Sequence, residues 1–112
     1  MRWEPLGCCG VMTEGTDTFG VDAFLLARFC GDPRGAVCDL GTGCGIVAML
    51  LAARTEAAPI VGVDIRPEAT ALFQAAIDRC GMGERLRALC ADWRDLSTLP
   101  AGGFEAVTVN PP

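Results

Sequence analysis

The residues best suited to chemistry are a glycine-rich run and two aspartates that follow it in the chain. The run is Asp39-Leu40-Gly41-Thr42-Gly43-Cys44-Gly45, and the later aspartates are Asp64 and Asp92. Gly41 and Gly43 permit a tight turn and a close backbone approach to a ligand, and a helix that begins after such a turn offers unpaired N–H groups to it. A run of this kind between a strand and a helix is typical of a nucleotide-type cofactor loop.

Two features of the loop indicate which cofactor it would bind. Position 46 is Ile, where the dinucleotide fingerprint has Gly or Ala, and this disfavours NAD. Asp39 would repel a pyrophosphate, but its carboxylate could accept hydrogen bonds from an ammonium group. S-adenosylmethionine carries an ammonium group and no phosphate, so the loop favours it over a dinucleotide.

The two later aspartates could contact the rest of such a cofactor. Asp64 follows the second predicted strand, a position from which a carboxylate can hold both hydroxyls of a ribose. Asp92 follows the third predicted strand and precedes Trp93, so its carboxylate could accept from an adenine amine while the indole covers the ring. For each aspartate alone, a capping or surface role stays open.

The segment Asn110-Pro111-Pro112 follows the fourth predicted strand. Two prolines cannot continue a strand ladder, so they predict a rigid turn that aims Asn110 and a neighbouring carbonyl into the crevice, although a simple strand stop stays open. Two such carbonyls could accept the N–H bonds of a planar amine and draw its nitrogen toward a nucleophilic geometry. This chemistry needs no histidine or lysine base, and the chain has neither.

The elements that would position these residues alternate along the chain. Short apolar or β-branched runs predict strands at 36–40, 60–63, 86–91 and 106–109. Helical spacing predicts helices at 45–54 and 67–80, the second with Pro67 in its first turn and Gly81 at its end. This order predicts an α/β fold, a Rossmann-like parallel sheet with helices on both faces that is truncated after the fourth strand.

Upstream of the first strand, the sequence predicts an extension at 1–35 with one helix at about 20–29. One face of that helix is expected to carry the residues Val21, Phe24, Leu25, Arg28 and Phe29. Residues 6–12 could form a strand or hairpin. Residues 36–112 then form the cofactor-binding half of a domain that we expect to be incomplete at its C-terminus.

Composition limits the remaining choices. The 112 residues are 51% hydrophobic and 21% charged, as in one globular domain, and the net charge of −5 argues against a broad basic surface for nucleic acid. The longest apolar run, 44–53, is shorter than the roughly 20 residues of a membrane span, and no signal pattern precedes it, so we expect a cytoplasmic protein without membrane contact. The chain has seven cysteines but no C-x-x-C pair and no histidine, so the sequence predicts no metal site. We expect the cysteines to be small buried apolar residues, with Cys8 and Cys9 as the reactive thiols.

Taken in order, these motifs resemble those of class I S-adenosylmethionine-dependent methyltransferases. The Asn-Pro-Pro element resembles the amino-methylating branch, which acts on adenine N6, guanine N2 or a glutamine amide. The segment Thr16-Asp17-Thr18-Phe19-Gly20-Val21-Asp22-Ala23-Phe24-Leu25-Leu26-Ala27 is similar to the one that precedes the cofactor loop in bacterial tRNA1(Val) adenine-N6 methyltransferases.

The resemblance implies a role for each matching position. The methionine end of S-adenosylmethionine would lie against Asp39, Gly41 and Gly43, the ribose against Asp64, and the adenine against Asp92 and Trp93. The target amine would bind at Asn110, Pro111 and Pro112. The implied substrate is tRNA, with no metal, and the basic surface for it would lie in a part of the fold beyond these residues.

Three alternatives stay open. The acceptor could be guanine N2 or a glutamine amide, although the glutamine methyltransferases of release factors are expected to carry a helical domain before the cofactor domain. The chain, expected to be inactive alone, could be a non-catalytic cofactor-binding fragment. An NAD-dependent oxidoreductase would instead bind NADH and ignore S-adenosylhomocysteine.

Overall fold

The central element of the fold is a parallel sheet of four strands. The structure, a computed structural model, describes residues 1–7, 9–92, 94, 95 and 103–110. The sheet contains β3 (Val37–Leu40), β4 (Ile60–Asp64), β5 (Leu86–Cys90) and β6 (Ala106–Val109) in the order β5-β4-β3-β6, and every neighbouring pair is parallel. The predicted α/β class with a Rossmann-like parallel sheet and the four predicted strands are confirmed, and the strand ends shift by one residue at most.

Two helices connect the first three strands of this sheet. The helix α2 (Ile46–Arg54) follows the glycine run, and α3 (Pro67–Cys80) begins with its proline, which needs no N–H partner in the first turn. Gly81 ends α3 in the left-handed conformation at φ 64°, which glycine adopts without strain. The apolar surface of α2 is buried almost all round, as its sequence predicts.

The two faces of the sheet are covered very differently. On one face, Val37, Ile60 and Leu86 share a large core with residues of α2 and α3, among them the fully buried Phe73. On the other face, Cys38, Val61 and Val63 form a small second cluster. All three described helices contribute to the first core, and a helix on the opposite face, which the sequence predicts, is not among the described elements.

The N-terminal residues pack on the helix-covered face. A hairpin forms from β1 (Arg2–Pro5) and β2 (Gly10–Thr13), as one of the two options for this region predicts, and Val11 joins the main core. The helix α1 (Val21–Phe29) lies where it is predicted. Its buried side chains are the small Ala23 and Ala27, whereas the residues expected together on one face are all exposed: Val21, Phe24, Leu25, Arg28 and Phe29.

Two cysteines also differ from their predicted state. Cys9 and Cys80 are joined by a disulfide with a Cα–Cα distance of 5.9 Å, because β2 packs on α3 and brings the start of the strand to the end of the helix. Cys9 is therefore not the free reactive thiol that the sequence predicts, and Cys8 lies outside the described residues. Cys38 and Cys44 are buried as expected, and burial raises the pKa of each thiol to about 11.

No helix among the described residues is long and apolar enough to cross a membrane.

Candidate active site

A large pocket opens at the carboxyl ends of the parallel strands. The chain leaves β3 toward β4 on one side and returns to β6 on the other, so the strand order reverses beside β3, and ligands of open α/β sheets bind at such a point. The pocket encloses about 570 Å³, a volume typical of small-molecule sites. Its lining combines the glycine loop, the ends of β3, β4 and β6, and the segment 16–19.

The glycine loop forms the pocket wall through conformations that require glycine. Gly41, Gly43 and Gly45 have φ values of 69°, 58° and 85°, in the left-handed region. The Thr42 N–H donates to the Val63 carbonyl over 2.9 Å, and this bond fastens the loop to β4. A Cβ at Gly45 would overlap the Phe73 ring, so the loop and α3 can approach each other only because this position is glycine.

Asp39 lies behind the glycine loop and does not line the pocket. Its side chain is 2% exposed, and it accepts hydrogen bonds from the hydroxyls of Thr42 over 2.8 Å and Thr108 over 2.6 Å. Burial raises the pKa of the Asp39 carboxyl above its usual value, and the two hydroxyls oppose this shift. Asp39 thus links the loop to β6, and its predicted contact with an ammonium group stays a prediction.

Asp64 does line the pocket and is held in a defined orientation. One carboxylate oxygen accepts from the Gly43 N–H over 2.9 Å, and the other accepts from the Arg66 N–H over 3.0 Å and the Arg66 Nε over 3.3 Å. The Arg66 guanidinium also donates to both carboxylate oxygens of Asp17, over 2.5 and 3.2 Å. The predicted ribose contact of Asp64 stays a prediction, and Asp64 lines the pocket in which it would act.

Asn110 lines the same pocket from the end of β6. The structure therefore brings together Gly41, Gly43, Asp64 and Asn110. Asp92 is not among the pocket-lining residues, and it bonds to the Arg94 guanidinium over 2.7 Å, which lowers the pKa of Asp92 to about 2. Trp93, Pro111 and Pro112 lie outside the described residues, so their predicted roles remain predictions.

The charged groups of the pocket favour a cationic ligand. Its described lining contains two carboxylates, Asp17 and Asp64, and one guanidinium, Arg66, which leaves one net negative charge. The one cationic side chain in this described lining, Arg66, is paired with Asp17 and Asp64, so the lining offers no unpaired cation to a pyrophosphate. Elsewhere in the described part of the chain, no group of three or more acidic or cysteine side chains is placed to hold a metal.

Comparison with known proteins gives this geometry a family. A family model described as a methyltransferase domain matches residues 37–111. The chain belongs to this methyltransferase domain family. The match begins at the first residue of β3 and includes the glycine loop, both later aspartates and Asn110, so the family resemblance deduced from the motifs is confirmed.

Individual relatives of the methyltransferase domain differ in what they act on. A release factor glutamine methyltransferase of Gloeobacter violaceus is 38% identical over 85 residues, which cover 75% of this chain and 29% of that protein. A tRNA1(Val) (adenine(37)-N6)-methyltransferase of Glaesserella parasuis is 31% identical over 110 residues, covering 94% of this chain and 42% of that protein. The chain thus spans less than half the length of either relative.

The fold of the methyltransferase domain also matches a solved structure. The C-terminal domain of precorrin-6Y C5,15-methyltransferase from Rhodobacter capsulatus has a TM-score of 0.72 to this chain at 24% sequence identity. The match covers 93% of this chain and 54% of that chain. A match over 93% of the chain extends beyond residues 37–111 and so includes part of the segment before β3.

Sequence reasoning missed several residues of the methyltransferase pocket. The segment 16–19 forms one wall of the pocket, yet the sequence indicates its importance only through a resemblance to a family segment. Arg66 is not among the residues that the sequence motifs single out, although an arginine two residues after a strand-end aspartate could have indicated a bond between them. Thr108 carried no signal, because its bond to Asp39 depends on the parallel register of β3 and β6.

Proposed function

We propose that this chain is the cofactor-binding half of an S-adenosylmethionine-dependent N-methyltransferase that methylates the N6 amine of adenine in tRNA. The observation that carries the proposal is the convergence of the glycine loop, Asp64 and Asn110 on one pocket of net negative charge. In this proposal residues 1–35 are an N-terminal extension and residues 36–112 form the cofactor half. The remaining substrate-binding parts would correspond to the segments by which the relatives exceed this chain in length.

The cofactor contacts follow from the placement of the side chains. The backbone of Gly41 and Gly43 would lie against the methionine end, with the buried Asp39 carboxylate adding negative potential behind the loop. The Asp64 carboxylate would accept from the ribose hydroxyls. We assign the adenine to Asp92 and Trp93 on the family resemblance alone.

The methyl transfer itself would depend on alignment of the acceptor. S-adenosylmethionine supplies an electrophilic methyl group on its sulfonium. The side-chain carbonyl of Asn110 would accept one N–H of the target amine, and a backbone carbonyl of the segment 111–112 would accept the other. Two such bonds would hold the nitrogen lone pair in line with the methyl group. The nitrogen would bond to the methyl carbon as the sulfonium C–S bond breaks with its electrons left on sulfur, and the methylated amine would release one N–H proton to solvent, so proximity and hydrogen bonding account for the catalysis.

The tRNA substrate is supported by the relative that aligns over almost the whole chain and by the similarity of residues 16–27. A base in a structured RNA must be unstacked before it enters such a pocket, at a cost of a few kcal/mol. The net charge of −5 offers little for phosphates, so we place the basic surface in the remainder of the protein. A cytoplasmic location follows from this substrate.

A glutamine amide is the second candidate acceptor, because a release factor glutamine methyltransferase is 38% identical over 85 residues. The amide presents the same planar NH₂ group to Asn110, so the pocket alone does not separate the two acceptors. A chain that binds the cofactor but transfers no methyl group is the third candidate. Methyl-transfer assays on the full-length protein with tRNA and with a release-factor domain separate all three.

The first test is isothermal titration of the folded 112-residue chain with S-adenosylhomocysteine, with circular dichroism as the check on folding. Asp64→Ala should weaken binding by about tenfold or more, because it removes hydrogen bonds to a charged acceptor. Asp32→Ala removes an exposed carboxylate outside the pocket and should bind as the wild type does. A folded wild-type chain that does not bind would overturn the proposal.

A further inference from the structure

The ion pairs around Arg66 connect two walls of the pocket that are far apart in sequence. The guanidinium holds Asp17 through two hydrogen bonds, and its Nε and backbone N–H both donate to one oxygen of Asp64. Asp17 lies in the segment before α1, and Asp64 ends β4. Asp17, Arg66 and Asp64 therefore form one network of charge-assisted hydrogen bonds along the pocket, with Arg66 in the middle.

These bonds fix the orientation of the Asp64 carboxylate. The Gly43 N–H occupies one oxygen and Arg66 occupies the other, so the carboxylate cannot rotate without breaking bonds on both sides. The side chains of Asp64 and Asp17 are 7% and 12% exposed, while that of Arg66 is 42% exposed. The carboxylates are thus shielded and the guanidinium bridges them from the solvent side.

An exposed ion pair elsewhere in the chain lacks these properties. Arg34 contacts Asp32 at 3.7 Å, with side-chain exposures of 79% and 65%, and neither residue lines the pocket. Such pairs contribute almost nothing to stability or binding. The bidentate geometry and the shielded partners distinguish Arg66, because an arginine fork loses less side-chain freedom for each bond it forms.

We propose that Arg66 and Asp17 are positioning residues that hold the Asp64 carboxylate for the ribose hydroxyls of the cofactor. This inference rests on the proposed function, since it assigns the ribose to Asp64. Asp17 acts through Arg66: it balances the guanidinium charge and anchors it from the opposite wall. The two residues therefore work as a unit, and neither needs to touch the ligand.

The test combines variants of the chain with variants of the ligand. Titration calorimetry would use the full 112-residue chain with S-adenosylhomocysteine and with its analogue that lacks the 2′- and 3′-hydroxyls. Arg66→Gln should weaken binding of S-adenosylhomocysteine about tenfold. The affinity of Arg66→Gln for the analogue should fall by no more than about twofold, as expected for the loss of an exposed ion pair.

Asp17→Asn keeps the shape of the side chain, so it tests the same idea if Arg66→Gln does not fold. Like Arg66→Gln, it should weaken the binding of S-adenosylhomocysteine more than the binding of the analogue. The double variant should bind S-adenosylhomocysteine no more weakly than Arg66→Gln alone. Arg34→Gln and Asp32→Asn make matched charge changes outside the pocket and should leave both affinities unchanged.

The outcomes separate this inference from the proposed function. A folded wild-type chain that binds neither ligand overturns both. A wild-type chain that binds both ligands equally retains the cofactor proposal and overturns the ribose assignment on which the inference rests. If Arg66→Gln and Asp17→Asn each lose affinity for the two ligands equally, the ion pairs serve the folded structure and not the ribose contact. That result overturns the inference and leaves the proposed function standing.

Discussion

The two faces of the sheet differ in how completely they are covered. On the face that carries α2 and α3, Phe73 is fully buried and even the acidic side chain of Asp39 is enclosed. On the opposite side of the edge strand β6, Val107 and Val109 are 56% and 48% exposed. We call the side that carries α2 and α3 the covered face and the other side the open face, because the described residues leave part of it exposed at β6. The cofactor pocket opens at the ends of these strands, and its glycine loop leads into α2 on the covered face.

This difference separates two requirements of the fold. The glycine loop depends on the covered face, because Phe73 packs against the positions of Gly45 and Gly62, where any Cβ would overlap its ring. The open face makes no comparable contact with the loop among the described residues. The cofactor loop should therefore respond strongly to changes on the covered face and weakly to changes on the open one.

The largest effect is expected from Phe73→Ala. It leaves a cavity between α3 and the glycine loop and should lower the free energy of unfolding by about 3–5 kcal/mol. Val107→Thr, on the open face, keeps the β-branched shape and should change it by no more than about 0.5 kcal/mol. Urea denaturation of both variants measures the contrast, and equal losses would mean that the two faces are buried alike.

An intermediate effect is expected from Thr108→Val, which removes the 2.6 Å bond to Asp39 without a large change of shape. Loss of a donor to a buried carboxylate should cost about 1–3 kcal/mol of stability. The loss should also depend on pH. Burial raises the pKa of Asp39 in the folded state, and the Thr108 hydroxyl counteracts this, so the variant has the higher folded-state pKa.

The sign of that dependence follows from proton linkage. A carboxyl with a raised folded-state pKa contributes most stability below its unfolded value of 3.8 and loses it as the pH rises through the folded value. Because the unfolded state is the same in both proteins, the destabilisation by Thr108→Val should grow as the pH rises through the raised folded-state pKa of wild-type Asp39 and level off above the higher folded-state pKa of the variant. Thr70→Val is the control, because the Thr70 hydroxyl donates to a backbone carbonyl and its loss should not vary with pH. If the destabilisation by Thr108→Val does not vary with pH, the Thr108 hydroxyl does not influence the pKa of Asp39.

Much of the covered face could be predicted from the sequence because its signals are local. Pro67 and Gly81 mark the ends of α3, and the apolar spacing between them identifies the side that packs on the sheet. The glycine run likewise specifies a turn between a strand and a helix. Asp64 and Asn110 follow strands directly, so the parallel arrangement alone places them at one edge.

The features that could not be predicted depend on contacts between distant parts of the chain. The bond from Thr108 to Asp39 and the pair of Arg66 with Asp17 join residues 69 and 49 positions apart. The burial of Asp39 behind the loop follows from the same register, since β6 must lie beside β3 before Thr108 can reach it. Residue types alone do not indicate which carboxylates line a pocket and which lie behind it.

The orientation of α1 depends on a distant contact in the same way. The spacing of its large apolar residues places them on one face but does not indicate which face of the helix is buried. In the structure α1 packs against α2 and buries the small Ala23 and Ala27, while Phe24 and Phe29 are exposed.

The smallest effect is expected within this helix. Phe29 is 88% exposed at the last position of α1, so Phe29→Ser should change the free energy of unfolding by no more than about 0.5 kcal/mol. Ala27→Val adds two methyl groups at the narrow contact with α2 and should cost about 1–3 kcal/mol. Urea denaturation at two protein concentrations measures both. A concentration-dependent loss for Phe29→Ser would contradict the exposed orientation, because it would mean that Phe29 is covered in solution by a second copy of the chain.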